Sequence, residues 1–334
     1  MLRTYLFFFL AALSCNPAEK QLVKLEGKTM GTTYHISFLT PEKNIGEFTK
    51  EDLDARVDSL LKEFNLSVST YIPSSTISRT NKPDTLIEAD EYFAKVFRRA
   101  QEISGKTNGA FDVTVMPLVN AWGFGFTDTL HIDSSVIDSL RSLVDYRNVT
   151  LQEGEGKYFV RKKDKRIQLD FSAIAKGYGV DLVAMLLEKH GIENYMVEIG
   201  GEVRAKGKNS EGQWWEIGVE KPIDDASGKI HELMNVMPLK NKSLATSGNY
   251  RNFYYKDGKK ISHEIDPKTG YPSQNNLLSV TVMADDCMTA DAYATAFMVM
   301  GLDKTRSYLN QDTTLKAYLI FAAEDGSMQT SMTK

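Results

Sequence analysis

The chain has 334 residues, 42% hydrophobic and 25% charged, an ordinary globular balance that allows one large or two small domains. A formal net charge of −4 and the lack of any basic run exclude a phosphate-tracking stripe, so no nucleic-acid role is expected. Two cysteines without a C-x-x-C, and five histidines without an i,i+4 pair, exclude a disulfide scaffold, a zinc ribbon and a zincin-type site.

Residues 1–15 read MLRTYLFFFLAALSC. Arg3 supplies a positive start, and an apolar run from Tyr5 to Leu13 follows. That run falls short of the roughly 20 residues that span a bilayer and suits a secretory signal. Ala12-Leu13-Ser14-Cys15 resembles a bacterial lipobox, with Ala12 where Leu is usual. The expectation is a lipoprotein signal peptide over 1–14, lipid on Cys15 and a tether to residue 26, with one folded unit over 27–334. The protein would then sit in the bacterial cell envelope, lipid-anchored to a membrane and facing the periplasm or exterior. A plain signal peptide with an incidental cysteine is the alternative.

Beyond the tether, alternation through Tyr34, Ile36 and Phe38 predicts a strand over 27–39. Helical spacing of Leu53, Val57, Leu60, Leu61 and Phe64 predicts a helix over 49–64. Asp90 caps a second predicted helix that ends at Gly105, and a third runs near 134–145. Short strands are expected at 149–152, 157–161 and 166–169, then a long helix from Ser172 to His190. Residues 194–284 read as short β runs at 195–199, 214–219, 233–237, 244–246, 252–255 and 278–282. A helix over 288–300 stops at Gly301; a helix near 303–310 and a hairpin over 316–322 and 328–330 close the chain. Helices and strands come in blocks, which argues for an α+β fold with a largely antiparallel sheet.

Several segments carry residues that packing alone does not require. Met30-Gly31-Thr32-Thr33-Tyr34 allows close backbone approach, or is simply a turn before a strand. In GAFDVTVMPLVNAWGFG, residues 109–125, aromatics stand between glycines; they make a slot for a flat ring, or a core cluster. Pro117 suits the first turn of a short helix. In DFSAIAKGYGVD, residues 170–181, a strand end meets a helix start, whose open amides favour an anion. Gly200-Gly201 marks a turn that also makes room for a ligand. Asp266-Pro267-Lys268-Thr269-Gly270 is a turn signal with His263 just ahead of it. A lone histidine there is either packed or catalytic. In CMTADAYATAFMVMG, residues 287–301, Asp291 and Thr295 share a face of an otherwise apolar helix. They offer hard oxygens to Mg²⁺ or Ca²⁺, or else Asp291 answers the helix dipole while Thr295 bonds back to a carbonyl.

As an ordered set, from MGTTY to CMTADAYATA, these segments resemble the ApbE family, the FAD:protein FMN transferases, over about 27–323. The resemblance implies a single compact ApbE-like, T-fold-like unit that binds FAD and Mg²⁺. It implies transfer of the FMN half of FAD to a threonine hydroxyl of an acceptor redox flavoprotein subunit, with release of AMP. Residue by residue, it implies that Asp291, Thr295 and the backbone carbonyl of Ala173 hold the metal. Met30, Tyr71, Trp122, Gly123, Phe124, Asp170, Lys176 and Ile265 would line the FAD site, and His263 would be the base. Ser172 and Gly179 depart from the family's usual Gly or Ala, and Glu264 from its usual apolar residue. The competing readings are a Mg²⁺-dependent FAD pyrophosphatase, in which water replaces the threonine, a non-catalytic FAD-binding lipoprotein and a structural envelope lipoprotein.

Overall fold

The computed structural model describes residues 20–40, 49–83, 86–126, 133–225 and 229–333. The expected signal peptide and Cys15 lie outside the described residues. In chain order the elements begin with β1 (Leu22–Thr29), β2 (Thr32–Leu39), α1 (Lys50–Val68), α2 (Thr76–Thr80), β3 (Leu86–Ala89) and α3 (Glu91–Lys106). They continue with α4 (Met116–Ala121), α5 (Ser134–Arg141), β4 (Val149–Gly154), β5 (Lys157–Lys162), α6 (Ala175–Lys189), β6 (Tyr195–Ile199) and β7 (Glu202–Lys206). Next come β8 (Trp215–Glu220), β9 (Leu233–Leu239), β10 (Ser243–Gly248), β11 (Phe253–Lys256), β12 (Lys259–Ser262) and β13 (Leu277–Ala284). The chain closes with α7 (Cys287–Met300), α8 (Leu302–Gln311), β14 (Lys316–Ala322) and β15 (Met328–Met332).

Eight strands form one sheet in the order β1-β2-β6-β7-β10-β13-β14-β15. Its neighbouring strands run antiparallel throughout, as the block order of helices and strands leads one to expect. Period-two alternation sorts each strand between two layers. On one face, Tyr195, Val197 and Ile199 of β6 pack with Val180, Val183 and Leu187 of α6. Ala245, Val280 and Val282 pack there with Ala290, Ala294 and Phe297 of α7. On the other face, Val203, Ala205, Leu244 and Ile320 meet Trp215, Val219, Met237 and Leu239 of the β8–β9 hairpin. β7 is different: its helix-facing positions Glu202, Arg204 and Lys206 pair with Lys176, Asp181 and Glu188 of α6. This ladder of charges lies between the sheet's centre and α6.

A smaller sheet, β3-β5-β4, packs beside α3. Lys162, at the end of β5, is buried, and its Nζ donates to the carbonyls of Thr80, Lys82, Lys165 and Ile167. It ties the loop after α2 to the loop that leads to Asp170.

Local chemistry accounts for the helix ends. Thr49 and Asp52 form a capping box at α1, Asp90 caps α3 through the Phe93 N–H, and Asp286 caps α7. Pro117 lies in the first turn of α4. Gly301 ends α7 at φ 77°, a backbone setting that suits glycine.

Four expectations are corrected. Strand β1 starts at Leu22, inside the expected tether, so folded structure begins before Gly27. The single strand expected over 27–39 is a hairpin turned at Met30-Gly31. Residues 166–169 form no strand, and α6 starts at Ala175 rather than Ser172.

Candidate active site

A cleft of about 460 Å³ lies where 110–119, 170–176, the end of β10, residues 250–252, residues 263–267 and α7 converge. Tyr71, Phe124, Asp170, Ala173, Lys176, His263, Ile265, Asp291 and Thr295 all line it. Residues separated by more than 200 positions in sequence are thus brought to one cavity. Met30, Trp122 and Gly123 are not among the lining residues. Met30 occupies the β1–β2 turn with its methyl against Gly179. The Trp122 indole donates to the Gly270 carbonyl at 2.9 Å and packs with Ile265, behind the cleft wall. Gly123, at φ 78°, turns the chain between Trp122 and the lining Phe124.

Close contact of α6 and α7 forms the charged end of the cleft. The Gly177 N–H donates to Asp291 Oδ2 at 2.9 Å. A Cβ on Gly177 would lie 2.3 Å from the Cys287 carbonyl oxygen, so only glycine permits this approach. Lys176 Nζ reaches Glu202 Oε1 at 2.5 Å. Burial pushes the Asp291 carboxyl up, opposed by the Lys176 charge and the Gly177 N–H. Burial likewise pushes Glu202 up, to about 8, against the pull of Lys176. Burial disfavours the Lys176 ammonium, but Glu202 and Asp291 outweigh it and hold its pKa above the ordinary value.

The open amides expected over 172–177 are largely used within the protein. Ser172 N–H donates to Asp170 Oδ1, those of Ile174 and Ala175 to the Phe171 carbonyl, and that of Gly177 to Asp291. Helix-end amides therefore contribute less to anion binding here than the sequence suggests.

Asp291 and Thr295 sit four residues apart on one face of α7, and Thr295 Oγ1 lies 3.2 Å from Ser247 Oγ. With the Ala173 backbone beside them, the donors are a carboxylate, a hydroxyl and a carbonyl, a hard-oxygen set that suits Mg²⁺. Among the described residues no group of three or more His, Cys, Asp or Glu is placed to hold a metal ion, so a metal here would draw on such neutral oxygens. Charge argues the same way. Five carboxylates (Asp112, Asp170, Glu202, Glu264, Asp291) face the cleft, against the two cations Lys176 and Arg251. An anionic diphosphate entering such a space requires added positive charge.

His263 also lines the cleft. Its Nδ1 lies 3.2 Å from the Asn252 carbonyl, an acceptor only. That partner assigns the proton of the neutral ring to Nδ1 and leaves the Nε2 lone pair free. The imidazole meets the Phe124 ring edge-on at 6.3 Å.

A family model described as "ApbE family" matches residues 30–319. The chain belongs to the ApbE family. It is 40% identical to a "FAD:protein FMN transferase" of Haemophilus influenzae over 320 residues, which is 94% of this chain and 91% of the relative. It is 33% identical to the enzyme of that name from Escherichia coli, over 99% of this chain and 94% of the relative. Among solved structures it resembles "Flavin Transferase ApbE from Vibrio cholerae", with a TM-score of 0.83, 36% identity, and 94% and 98% of the two chains covered. This likeness agrees with the mixed α+β architecture with antiparallel sheets.

Three lining residues of this ApbE chain went unremarked in the sequence. Glu202 is the buried partner of Lys176; its signal was a carboxylate at the start of a strand after Gly200-Gly201. Arg251, in the segment after β10, pairs with Glu220, which in turn binds His231 Nδ1 at 2.7 Å. Asp112 accepts the N–H groups of Thr114 and Tyr146, each at 2.8 Å, and burial pushes its carboxyl up. None of the three stands out by periodicity.

Proposed function

We propose that this protein transfers the FMN half of FAD to a threonine hydroxyl of an acceptor redox flavoprotein, with Mg²⁺, and releases AMP. The observation that carries the reading is the cleft itself. It joins one free imidazole nitrogen to a hard-oxygen donor set and a clamped lysine, within a chain of the ApbE family. Asp291, Thr295 and the Ala173 carbonyl are the residues that would hold Mg²⁺, which when bound neutralises phosphate charge.

The chain's own groups divide the remaining work. His263 Nε2 accepts the threonine proton, since a hydroxyl is a poor nucleophile until it loses that proton. Lys176, kept cationic by Glu202 and Asp291, offers fixed positive charge to the phosphates. Phe124 and Ile265 give apolar surface to the flavin nucleotide, and Tyr71, exposed at the rim, stacks edge-on with Phe126 at 4.8 Å. Asp170 holds Ser172 through both the N–H and the hydroxyl, which fixes the loop that presents Ala173. The chemistry is a phosphoryl transfer governed by positioning, charge neutralisation and one base.

The envelope assignment belongs to the same proposal. The residues 1–15 support lipidation at Cys15 and attachment to a membrane, facing the periplasm or exterior. No helix among the described residues is long and apolar enough to cross a membrane. Cys287, buried inside the fold, has a thiol that burial pushes well up, so it is not a reactive partner for Cys15. Incubation with FAD and Mg²⁺, with and without an acceptor subunit, tests the function. Transfer predicts acceptor-dependent AMP release; equal FMN and AMP release without acceptor would indicate a pyrophosphatase instead.

A further inference from the structure

Glu264 lines the cleft, and the proposed chemistry gives it no part. Its side chain is 2% exposed, and neither carboxylate oxygen has a hydrogen-bond partner. Its backbone is held firmly, because the Glu264 carbonyl accepts the Ser273 N–H at 2.7 Å. A carboxylate withdrawn from water without partners is costly. The group it does face is His263, whose Nδ1 lies 3.5 Å from Oε2. The Asn252 carbonyl approaches the same nitrogen at 3.2 Å. Two acceptors therefore flank one ring nitrogen, and among the described residues no hydrogen-bond partner approaches Nε2.

We propose that Glu264 is a positioning residue for His263. Together with the Asn252 carbonyl it keeps the proton on Nδ1 and aims Nε2 at the incoming hydroxyl. It then serves as counter-charge to the imidazolium that forms when Nε2 takes the proton. This inference rests on the reading of His263 as the base. In the step it assists, the hydroxyl proton moves to Nε2 and the hydroxyl oxygen bonds to the FMN-side phosphorus. The bond from that phosphorus to the bridging oxygen breaks, and AMP departs with the electron pair. The imidazolium proton then passes to AMP or to water, and Glu264 orients the ring without taking part in the transfer, as a carboxylate does beside a catalytic histidine. The carboxylate's unmatched charge is thus matched only as the transition state is approached, which favours rate over binding.

Two variants and two readouts test this. Glu264→Leu removes both charge and acceptor; Glu264→Gln keeps shape and an acceptor oxygen but removes the charge. Imidazole ¹⁵N spectra of the full chain, without FAD, report the His263 tautomer directly. The wild type is expected to show the Nδ1–H form, and Glu264→Leu a mixture of tautomers. In transfer assays both variants should lose kcat by roughly 10- to 100-fold, with KM for FAD held within about twofold. Loss of an unpartnered buried charge should leave the melting temperature unchanged or raised, so unfolding would not mimic the result. An unchanged tautomer in Glu264→Leu, or unchanged kcat in Glu264→Gln, overturns the proposal. If the wild type transferred no FMN while its tautomer still depended on Glu264, the function would fail and the pairing would stand.

Discussion

His263 offers one free nitrogen to the cleft, and no other histidine among the described residues lines it. A positioned base contributes roughly 10²- to 10⁴-fold in rate. His263→Ala should therefore lose kcat by about that factor while FAD and Mg²⁺ still bind, as steady-state and equilibrium-binding measurements can separate. Lost FAD affinity with normal kcat would make His263 a binding residue. Asp291→Ala should abolish Mg²⁺ binding in a calorimetric titration. It costs the Gly177 N–H its acceptor, about 1 kcal/mol, but also removes a buried charge, so the fold should persist. Asp291 was legible in sequence because a carboxylate in a run of Ala, Met, Phe and Val needs a partner. Glu202 was not, because a carboxylate after two glycines reads as a turn until β7 is known to lie inside the sheet. Met30 and Trp122 illustrate the converse: motif membership marked them, yet one packs in a turn and the other supports the cleft from behind.

At the level of elements, the site depends on how closely α6 and α7 approach. Gly177 sets that distance. Gly177→Ala would gain about 1 kcal/mol in helix propensity. The new methyl, however, would collide with the Cys287 backbone and the Asp291 Cβ, contacts of 2.3 to 2.8 Å that cannot all relax. Overpacking of this kind costs roughly 1–3 kcal/mol. A lowered melting temperature together with weaker Mg²⁺ binding is expected; a stabilised protein with intact Mg²⁺ affinity would show that the helices can part freely. Long periodic elements such as α1 and α3 were readable because their apolar faces repeat at helical spacing, and α7 because an apolar run ends at Gly301. β7 was not, since the face it turns to α6 is charged, the reverse of the usual inward pattern. The start of α6 was also misjudged: Ser172 looks like a cap, but Asp170 takes its N–H and hydroxyl, and the helix begins three residues later.

For the whole molecule, the sheet with its two helices brings α7 and the 263–267 segment to one cleft, and the N-terminal segment would deliver that cleft to a membrane surface. Cys15→Ala should move the protein from the membrane fraction to the soluble fraction without changing its activity on FAD. Unchanged membrane retention with processing elsewhere would count against the anchor. Mg²⁺ with FAD should raise the melting temperature of the wild type in a concentration-dependent way, because ligands that bind only the folded state stabilise it. The most direct test of the central claim is mass spectrometry of a candidate acceptor subunit after incubation with the protein, FAD and Mg²⁺. The account predicts one FMN phosphate ester on an acceptor threonine, with AMP released in equal amount. An unmodified acceptor beside free FMN and AMP would contradict it.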